Sequence, residues 1–489
     1  MRITVLFQIV PDITKAAESD WSRDPLCPLT GTLPRIPDAF DESALELALR
    51  LRDSRRMCEE ETSLCGITFG GEDGDRLFYQ RLFALGFHQI TRIDGKVSYY
   101  DPRAKVRLLA NAAQHSDLVL CGTKSGLGGS GMTGFLVAEL LGIPAIPDVS
   151  SIESFSNDPL LQISSESNGL HRILRAPVPL VLMVGNTENA RLRVPSLRAR
   201  MSAASQQITT LPASVFSCPA PQSVARPTRH RHCHYIEAMP DEAACFLHNW
   251  LSKSDNEHVS TTSSPASLPD DLVLYGSDNA SIQAAACRSL QSNSPLINNV
   301  LRLENGSLIC SLFAGAAEAT YVPDQEIIGV LDRRSKLIPT EATPAFTENP
   351  AISEELVVYK GEAKTLSSAP RVLIAGYGLG SAANCTRAQS LATRLDLAFG
   401  ATRSVVMNGW SRLSTQVGVS GSLLSASRCL VLGASGAEAF LAALPEHCHI
   451  AAVNTDPHAP IFRAAEIGFV GDAQEVLRVL EERIEQEDS

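Results

Sequence analysis

The sequence predicts an α/β protein: a doubly wound N-terminal half, a shorter related α/β unit, and a C-terminal domain built on a parallel sheet. Three observations predict it. Short apolar runs alternate with helical patterns through the first half. Two stretches of that half recur, in the same order, further along the chain. Near residue 370 an apolar run stops at a glycine turn, "VLIAGYGLGS", and several loops of small residues follow.

The first half supplies strand candidates at Ile3–Val10, Leu64–Phe69, Gln89–Ile93, Asp117–Cys121 and Val178–Val184, with helices between them. "DAFDESALELALRLRD" (Asp38–Asp53) opens with acidic residues and places Ala44, Leu45, Leu47, Ala48 and Leu51 at helical spacing. "DLVLCG" (Asp117–Gly122) recurs as "DLVLYG" (Asp271–Gly276), and "GIPAIPDV" (Gly142–Val149) is echoed by "NSPLINNV" (Asn293–Val300). Two echoes in one order argue for related units, the second a partial copy without the early strands. The third unit begins near Pro370, with later strands at Cys429–Leu432 and Ile450–Val453.

Ser202–Pro227 and Ser254–Asp271 are rich in Ser and Pro and lack periodicity, so both are expected to be exposed connections. The expected organisation is an α/β domain over 1–253, a linker at 254–270, a truncated domain over 271–345, a linker at 346–369, and a C-terminal domain over 370–489.

Composition narrows the function classes. With 44% hydrophobic and 20% charged residues in 489, the chain reads as an ordinary soluble globular protein. No stretch approaches the roughly 18 apolar residues that suggest a membrane span. "MRITVLFQIV" lacks a small-residue cleavage site and reads as a first core strand rather than a signal peptide. A net charge of −12 argues against general nucleic-acid affinity, which needs a basic surface. The 12 cysteines stand singly, without C-x-x-C or zinc spacing, so they are expected to be reduced and mostly buried in a reducing, cytoplasmic compartment.

Two glycine turns invite a nucleotide. "GTKSGLGGSGMTG" (Gly122–Gly134) follows a strand, precedes the helical "FLVAELLG", and offers Ser125, Ser130 and Thr133 beside its glycines. Backbone N–H groups at such a turn are able to meet a phosphate. The turn lacks the G-K-[ST] ending of a P-loop, and a capped helix behind a flexible loop is the alternative. "GYGLGS" is similar in kind, with Asp396 near the spacing of a ribose-binding acid, though that aspartate follows a helix rather than a strand. Downstream come "TRSVVMNGW", "QVGVSGS", "LGASGAEAF", "VNTDPHAPIF" and "EIGFVGD", small-residue loops suited to line a crevice along one sheet edge.

Those loops resemble, in order and spacing, the flavin-binding domain of the α subunit of electron-transfer flavoproteins. The family pattern reads approximately G-G-R-G, S-R-A-A-V-D-A-G, Q-V-G-Q-T-G-K, G-I-S-G-A-I-Q-H and N-K-D-P-E-A-P-I-F. The first half is similar to the β subunit of the same family through "QIVPD", "DAFDESALELALRLRD", "DLVLCG", "VAELLGIP" and "RVPSLRARM". The resemblance implies a single-chain fusion, β-like half first, with a truncated α-like portion and an FAD-binding C-terminal domain.

The resemblance implies FAD contacts at Tyr377, Gly378, Thr402, Arg403, Gln416, Val417, Gly418, Val419, Ser420 and Gly421. It extends them to Gly433, Ser435, Gly436, Ala437, Phe440, Asn454, Asp456 and Asp472. Arg403 takes the place of the family's flavin-side cation, and Ser420 that of its hydroxyl facing the ring nitrogen N5. Gly433, Ser435 and Gly436 keep the pyrophosphate loop; Asn454 and Asp472 fall on the adenosine side. The departures are Tyr377 for the Arg of G-G-R-G, Phe440 for a His, Val419 for a Gln and Ser422 for a Lys, which together imply a flavin potential unlike the common type.

In the β-like half the family holds AMP, or a second FAD in its bifurcating members, in a loop close to D-G-D-T-G-Q-V-G. The matching positions run from Leu127 through Gly128, Gly129, Ser130, Gly131, Met132 and Thr133 to Gly134, without either acid. Leu197 matches a leucine through which some relatives anchor a dehydrogenase; the alternative is a loop leucine packed on its own domain. "RHRHCH" alternates His230, His232 and His234, but the family has no metal there and a solvated basic patch is the preferred reading.

The functional expectation is an electron carrier rather than a stand-alone catalyst, without catalytic side chains or a metal. Its partners would be a flavoprotein dehydrogenase as donor and a quinone-linked or other redox acceptor, with no nucleic acid and no transmembrane segment. The alternatives are a bifurcating protein with a second FAD and NADH at the β-like half, or a nucleotide-binding scaffold that has lost redox function. An NAD-dependent dehydrogenase is the weakest reading, since no catalytic pair accompanies the glycines.

Overall fold

The structure is a computed structural model that describes residues 1–15, 33–71, 73–95, 102–127, 131–155, 158–167, 170–185, 191–213, 221–226, 233–236, 239–252, 272–315, 317–323, 325–332, 335, 337–341, 352–359, 366–445 and 448–487. The chain forms two compact units. One comprises Met1–Ala225, Leu268–Phe313 and Ala317–Lys360, the other Arg226–Ser267, Ala314–Ala316 and Gly361–Ser489.

The first unit is organised on a ten-stranded sheet. Its parallel part runs, in spatial order, Thr209–Pro212, Gln89–Asp94, Ser63–Phe69, Arg2–Phe7, Leu118–Gly122, Leu180–Val184 and Ala145–Ser154. Leu160–Ser167, Leu170–Pro177 and Ser353–Tyr359 then continue it antiparallel. Ile3, Val5, Leu118, Leu120, Leu180 and Leu182 are fully buried, which is why these strands read as near-continuous apolar runs. The helix Ala39–Met57 lays Ala44, Leu45, Leu47, Ala48 and Leu51 on the core, with Asp38 as its N-cap. Strand order reverses between Arg2–Phe7 and Leu118–Gly122, the topological switch point of a doubly wound sheet.

The sequence echo has a structural counterpart. Leu118–Gly122, the helix Met132–Leu141, three antiparallel-linked strands and Leu180–Val184 are repeated as Leu272–Tyr275, the helix Asn279–Ser292, Leu296–Glu304, Ser307–Leu312, Ala317–Tyr321 and Ile327–Leu331. In both copies the last strand inserts beside the first. Each helix ends on a left-handed residue, Gly142 at φ 65° and Asn293 at φ 56°. Each following strand bulges at a second, Asp148 at φ 53° and Asn299 at φ 55°. Asn and Asp tolerate that region; a β-branched residue does not. Asn299→Val is therefore expected to destabilise the unit by about 1–2 kcal/mol and Asn299→Gly to be close to neutral, read from the urea midpoint. An unchanged midpoint for the valine variant would contradict the assignment.

Two expected connections are strands instead. Thr209–Pro212 adds a parallel edge strand beside Gln89–Asp94, and Ser223–Ala225 pairs with Ala317–Tyr321. Thr209–Pro212 is exposed along its whole length, so its composition carried no apolar signal. Ser353–Tyr359, inside the expected linker at 346–369, pairs with Leu170–Pro177. The expected linker at 254–270 lies outside the described residues.

The second unit carries an all-parallel sheet in the order His234–Tyr235, Ile467–Val470, His449–Asn454, Arg428–Leu432, Arg371–Ala375, Ala398–Thr402 and Gln416–Val417. The helices Ala382–Arg394, Ala473–Glu487 and Pro240–Ser252 cover one face. The last of these corrects the expected boundary at 253: Ala243, Ala244, Leu247, Trp250 and Leu251 are buried with the C-terminal core. Among the described residues, no helix is long and apolar enough to cross a membrane.

Candidate functional site

In the C-terminal unit the chain moves outward from Arg371–Ala375 in one direction and then from Arg428–Leu432 in the other. The crevice at that switch point is where open α/β sheets hold ligands. Two glycine loops meet there. Gly376 N–H donates to the Leu432 carbonyl, Gly378 N–H donates 2.8 Å to the Gly433 carbonyl, and Gly433 N–H donates to the Val453 carbonyl. A Cβ on Gly376 would lie 2.2 Å from the Ala434 nitrogen, and one on Gly378 would lie 2.9 Å from the Gly433 Cα. The backbones touch, so no side chain fits between them.

Beside this cradle, Ala401↔Gln416 and Thr402↔Val417 pair in parallel and align two loops. Thr402 ends its strand and stands at the N-cap position of the short helix that Arg403 begins, without a side-chain capping bond. Arg403 is half-buried and has no ion pair or hydrogen bond among the described residues, so its charge stands uncompensated at the crevice. Gln416 is 2% exposed; its amide Nε2 donates 2.7 Å to the Ser420 Oγ, while its Oε1 is buried without a partner. An orphaned buried acceptor is rare in a finished fold and suits a site that expects a further donor. Val417 is buried; Gly418, at φ 144°, and Gly421, whose Cβ would lie 2.3 Å from the Gln416 carbonyl, shape the turn that presents Ser420. Val419 N–H donates to the Ala439 carbonyl, tying this turn to the next loop.

The remaining predicted residues fall into four settings. Ser435 and Ala437 are exposed on the loop after Arg428–Leu432, and Gly436, at φ 84°, packs against Ile461. Asn454, Asp456 and Asp472 brace backbone. Asn454 Nδ2 donates to the Ala434 carbonyl while its Oδ1 accepts from Asp456 N–H; Asp456 Oδ1 accepts from His458 N–H, and Asp472 Oδ1 accepts from Gln474 N–H. Phe440 is buried in the core cluster with Leu424, Val431 and Ala434, and it offers no polar atom. Tyr377 is 55% exposed and stacks on Trp410. Sequence reasoning missed Asn384 and Gln474, which bond to each other and to the carbonyls of Leu379 and Gly378, bracing the first glycine turn.

The first unit's switch point is built differently. Asp41 bridges the ends of its two strands, Oδ1 accepting from Gly122 N–H at 2.9 Å and Oδ2 from Gln8 N–H at 2.8 Å. Asp38 Oδ2 accepts from Ser125 Oγ and Gly126 N–H, each at 2.8 Å. Burial pushes both carboxyls upward, Asp41 further because Asp38 lies beside it; the donated hydrogen bonds and Lys105 oppose the shift. Burial pulls Lys105 down while the two carboxylates hold it up. Part of the loop's donor set is thus committed to carboxylates of the chain itself. The two acids look from sequence like ordinary first-turn residues of a helix; nothing local shows that Asp41 reaches a strand 81 residues on.

Gly128 and Ser130 of that loop lie outside the described residues. Gly131, at φ 79°, precedes the helix, and its Cβ would meet the Thr123 carbonyl at 1.9 Å. Thr133 is half-exposed, whereas the Met132 side chain is buried in the core, which leaves only its backbone to the loop. Leu197 is 74% exposed at the start of the helix Leu197–Ala203, with Val194 and Met201 also exposed. Among the described residues, the Leu197 side chain is not buried in a core cluster. His230 and His232 lie outside the described residues, and His234 sits exposed on a two-residue edge strand.

Two family descriptions match these regions. "Electron transfer flavoprotein domain" matches residues 31–215, and "Electron transfer flavoprotein FAD-binding domain" matches residues 365–445, which contain both glycine loops of the C-terminal crevice. The chain belongs to the electron transfer flavoprotein family. It is 36% identical over 134 residues to a probable mitochondrial electron transfer flavoprotein α subunit of Schizosaccharomyces pombe, covering 27% of this chain and 39% of that one. It is 37% identical over 115 residues to the α subunit of Paracoccus denitrificans, covering 24% and 37%. It is 40% identical over 115 residues to a putative electron transfer flavoprotein subunit of Escherichia coli, covering 24% and 40%. The chain thus spans about two fifths of the length of these relatives.

Proposed function

We propose that this chain is an electron carrier of the electron transfer flavoprotein type, holding FAD in the C-terminal crevice between a flavoprotein dehydrogenase and a second redox protein. The observation that carries the reading is the Gln416–Ser420 pair. The Gln416 amide already supplies Ser420 Oγ with a donor, so the hydroxyl keeps its own proton for an acceptor in the crevice. Arg403 adds a cation without a carboxylate partner among the described residues, and a nearby cation favours a ring that gains negative charge on reduction. When bound, FAD supplies the redox chemistry; the chain binds it, orients it and sets its electrostatics. The backbone-to-backbone glycine loops fit a diphosphate, which needs close approach rather than side chains. Exposed Leu197, with Val194 and Met201, supports a protein-facing role for the helix at 197–203.

The test is to count what purified protein releases. One FAD per chain, bleached by dithionite, is expected, with AMP as the second nucleotide in the first unit. Two FAD with direct bleaching by NADH would favour a bifurcating protein instead. Arg403→Ala is expected to retain FAD and lower its reduction potential. A colourless chain that cannot be loaded with FAD would overturn the proposal and leave a nucleotide-binding scaffold.

A further inference from the structure

Tyr377 and Trp410 come from different loops of the C-terminal unit and meet face to face, with ring centroids 4.9 Å apart and planes 6° from parallel. Tyr377 opens the turn after Arg371–Ala375, at the switch point. Trp410 follows the helix that Arg403 begins, and its backbone N–H donates to the Val405 carbonyl. Both anchors are tied to the fold. Gly378, next to Tyr377, is hydrogen-bonded to the Gly433 loop, while Trp410 is half-buried against the core. One face of Tyr377 rests on Trp410, yet the residue stays 55% exposed. A large aromatic held in place and left open on one side, at the edge of a ligand crevice, is a stacking surface.

We propose that the Tyr377–Trp410 stack is a π platform for a flat, electron-poor ring, which under the function proposed above is the ring system of FAD. Two electron-rich rings against an electron-poor one favour the oxidised ring over the reduced one, the opposite sense to Arg403. The stack therefore acts on binding and on potential, and it moves no proton or electron itself.

The test uses the full chain loaded with FAD. Flavin emission is expected to be strongly quenched in the wild type, with a long-wavelength shoulder in its absorption. Trp410→Leu and Tyr377→Leu are each expected to raise emission several-fold, remove the shoulder and move the reduction potential upward. Tyr377→Phe, which keeps the ring, is expected to stay close to wild type and so separates stacking from loss of the hydroxyl. FAD bound with emission and potential unchanged in both leucine variants overturns the platform alone. A wild-type chain that takes up no FAD overturns the platform and the proposed function together. Circular dichroism of each variant establishes that it is folded.

Discussion

Gly376→Ala is expected to abolish FAD retention and to destabilise the C-terminal unit by about 3 kcal/mol, at the upper end of overpacking costs. The added Cβ would stand 2.2 Å from the Ala434 nitrogen and 2.3 Å from the Gly433 carbonyl group, so it meets backbone rather than a side chain that can swing away. That backbone is held on several sides. Gly433 N–H is bonded to the Val453 carbonyl, the Gly433 carbonyl accepts from Gly378 N–H, and the Ala434 carbonyl accepts from Asn454 Nδ2. Relief requires the two switch-point loops to separate, which opens the cradle that a diphosphate would need. Gly409→Ala is the control: at φ 72° with nothing within 4 Å of the new Cβ, it carries only the left-handed penalty of about 1–2 kcal/mol. Thermal unfolding and the ratio of flavin to protein absorbance read both effects. A Gly376→Ala chain that binds FAD and melts like the wild type would refute the cradle.

Lys105→Met is expected to destabilise the first unit by about 1 kcal/mol at neutral pH, by removing the cation that opposes the upward shift of Asp38 and Asp41. The cost depends on pH, and its sign follows from the shifts. Both Asp38 and Asp41 titrate above the ordinary carboxylate range of 3.8, so their protonated forms favour the folded state. That contribution is complete below the unfolded value and is lost as pH rises through the folded ones. Lys105 counters the loss by stabilising the ionised carboxylates. Without it the folded values rise further, and the deficit against the wild type grows as pH climbs from about 4 towards 7. Urea unfolding at a series of pH values measures this. A deficit that is constant with pH would mean that Lys105 acts through packing, not charge.

Much of the fold was legible because burial and sequence pattern coincide. The strands at 2–7, 63–69, 118–122 and 180–184 are apolar runs covered on both faces, and the helix at 39–57 shows both its cap and its stripe. The echo at 142–149 and 293–300 was readable because a bulge needs Asp or Asn where φ is positive. The strands at 209–212 and 353–359 were not legible. An edge strand gains its stability from backbone pairing with a neighbour far along the chain: Thr209–Pro212 carries no apolar signal, and the apolar end of Ser353–Tyr359 does not show that its partner is Leu170–Pro177.

The site divides along the same line. By itself the sequence determined the small-residue loops, their order, and the identities of Tyr377 and Phe440, since glycine spacing and residue identity are local properties. The tertiary structure alone decided what those residues meet. It turned Phe440 into the core, committed Asn454 to bracing the loop at Ala434, and placed Asp41 across two strand ends. It also brought Trp410 face to face with Tyr377. The physical reason is that hydrogen-bond partners and stacking faces are fixed by which strands neighbour one another at a switch point, and that adjacency comes from packing the whole sheet.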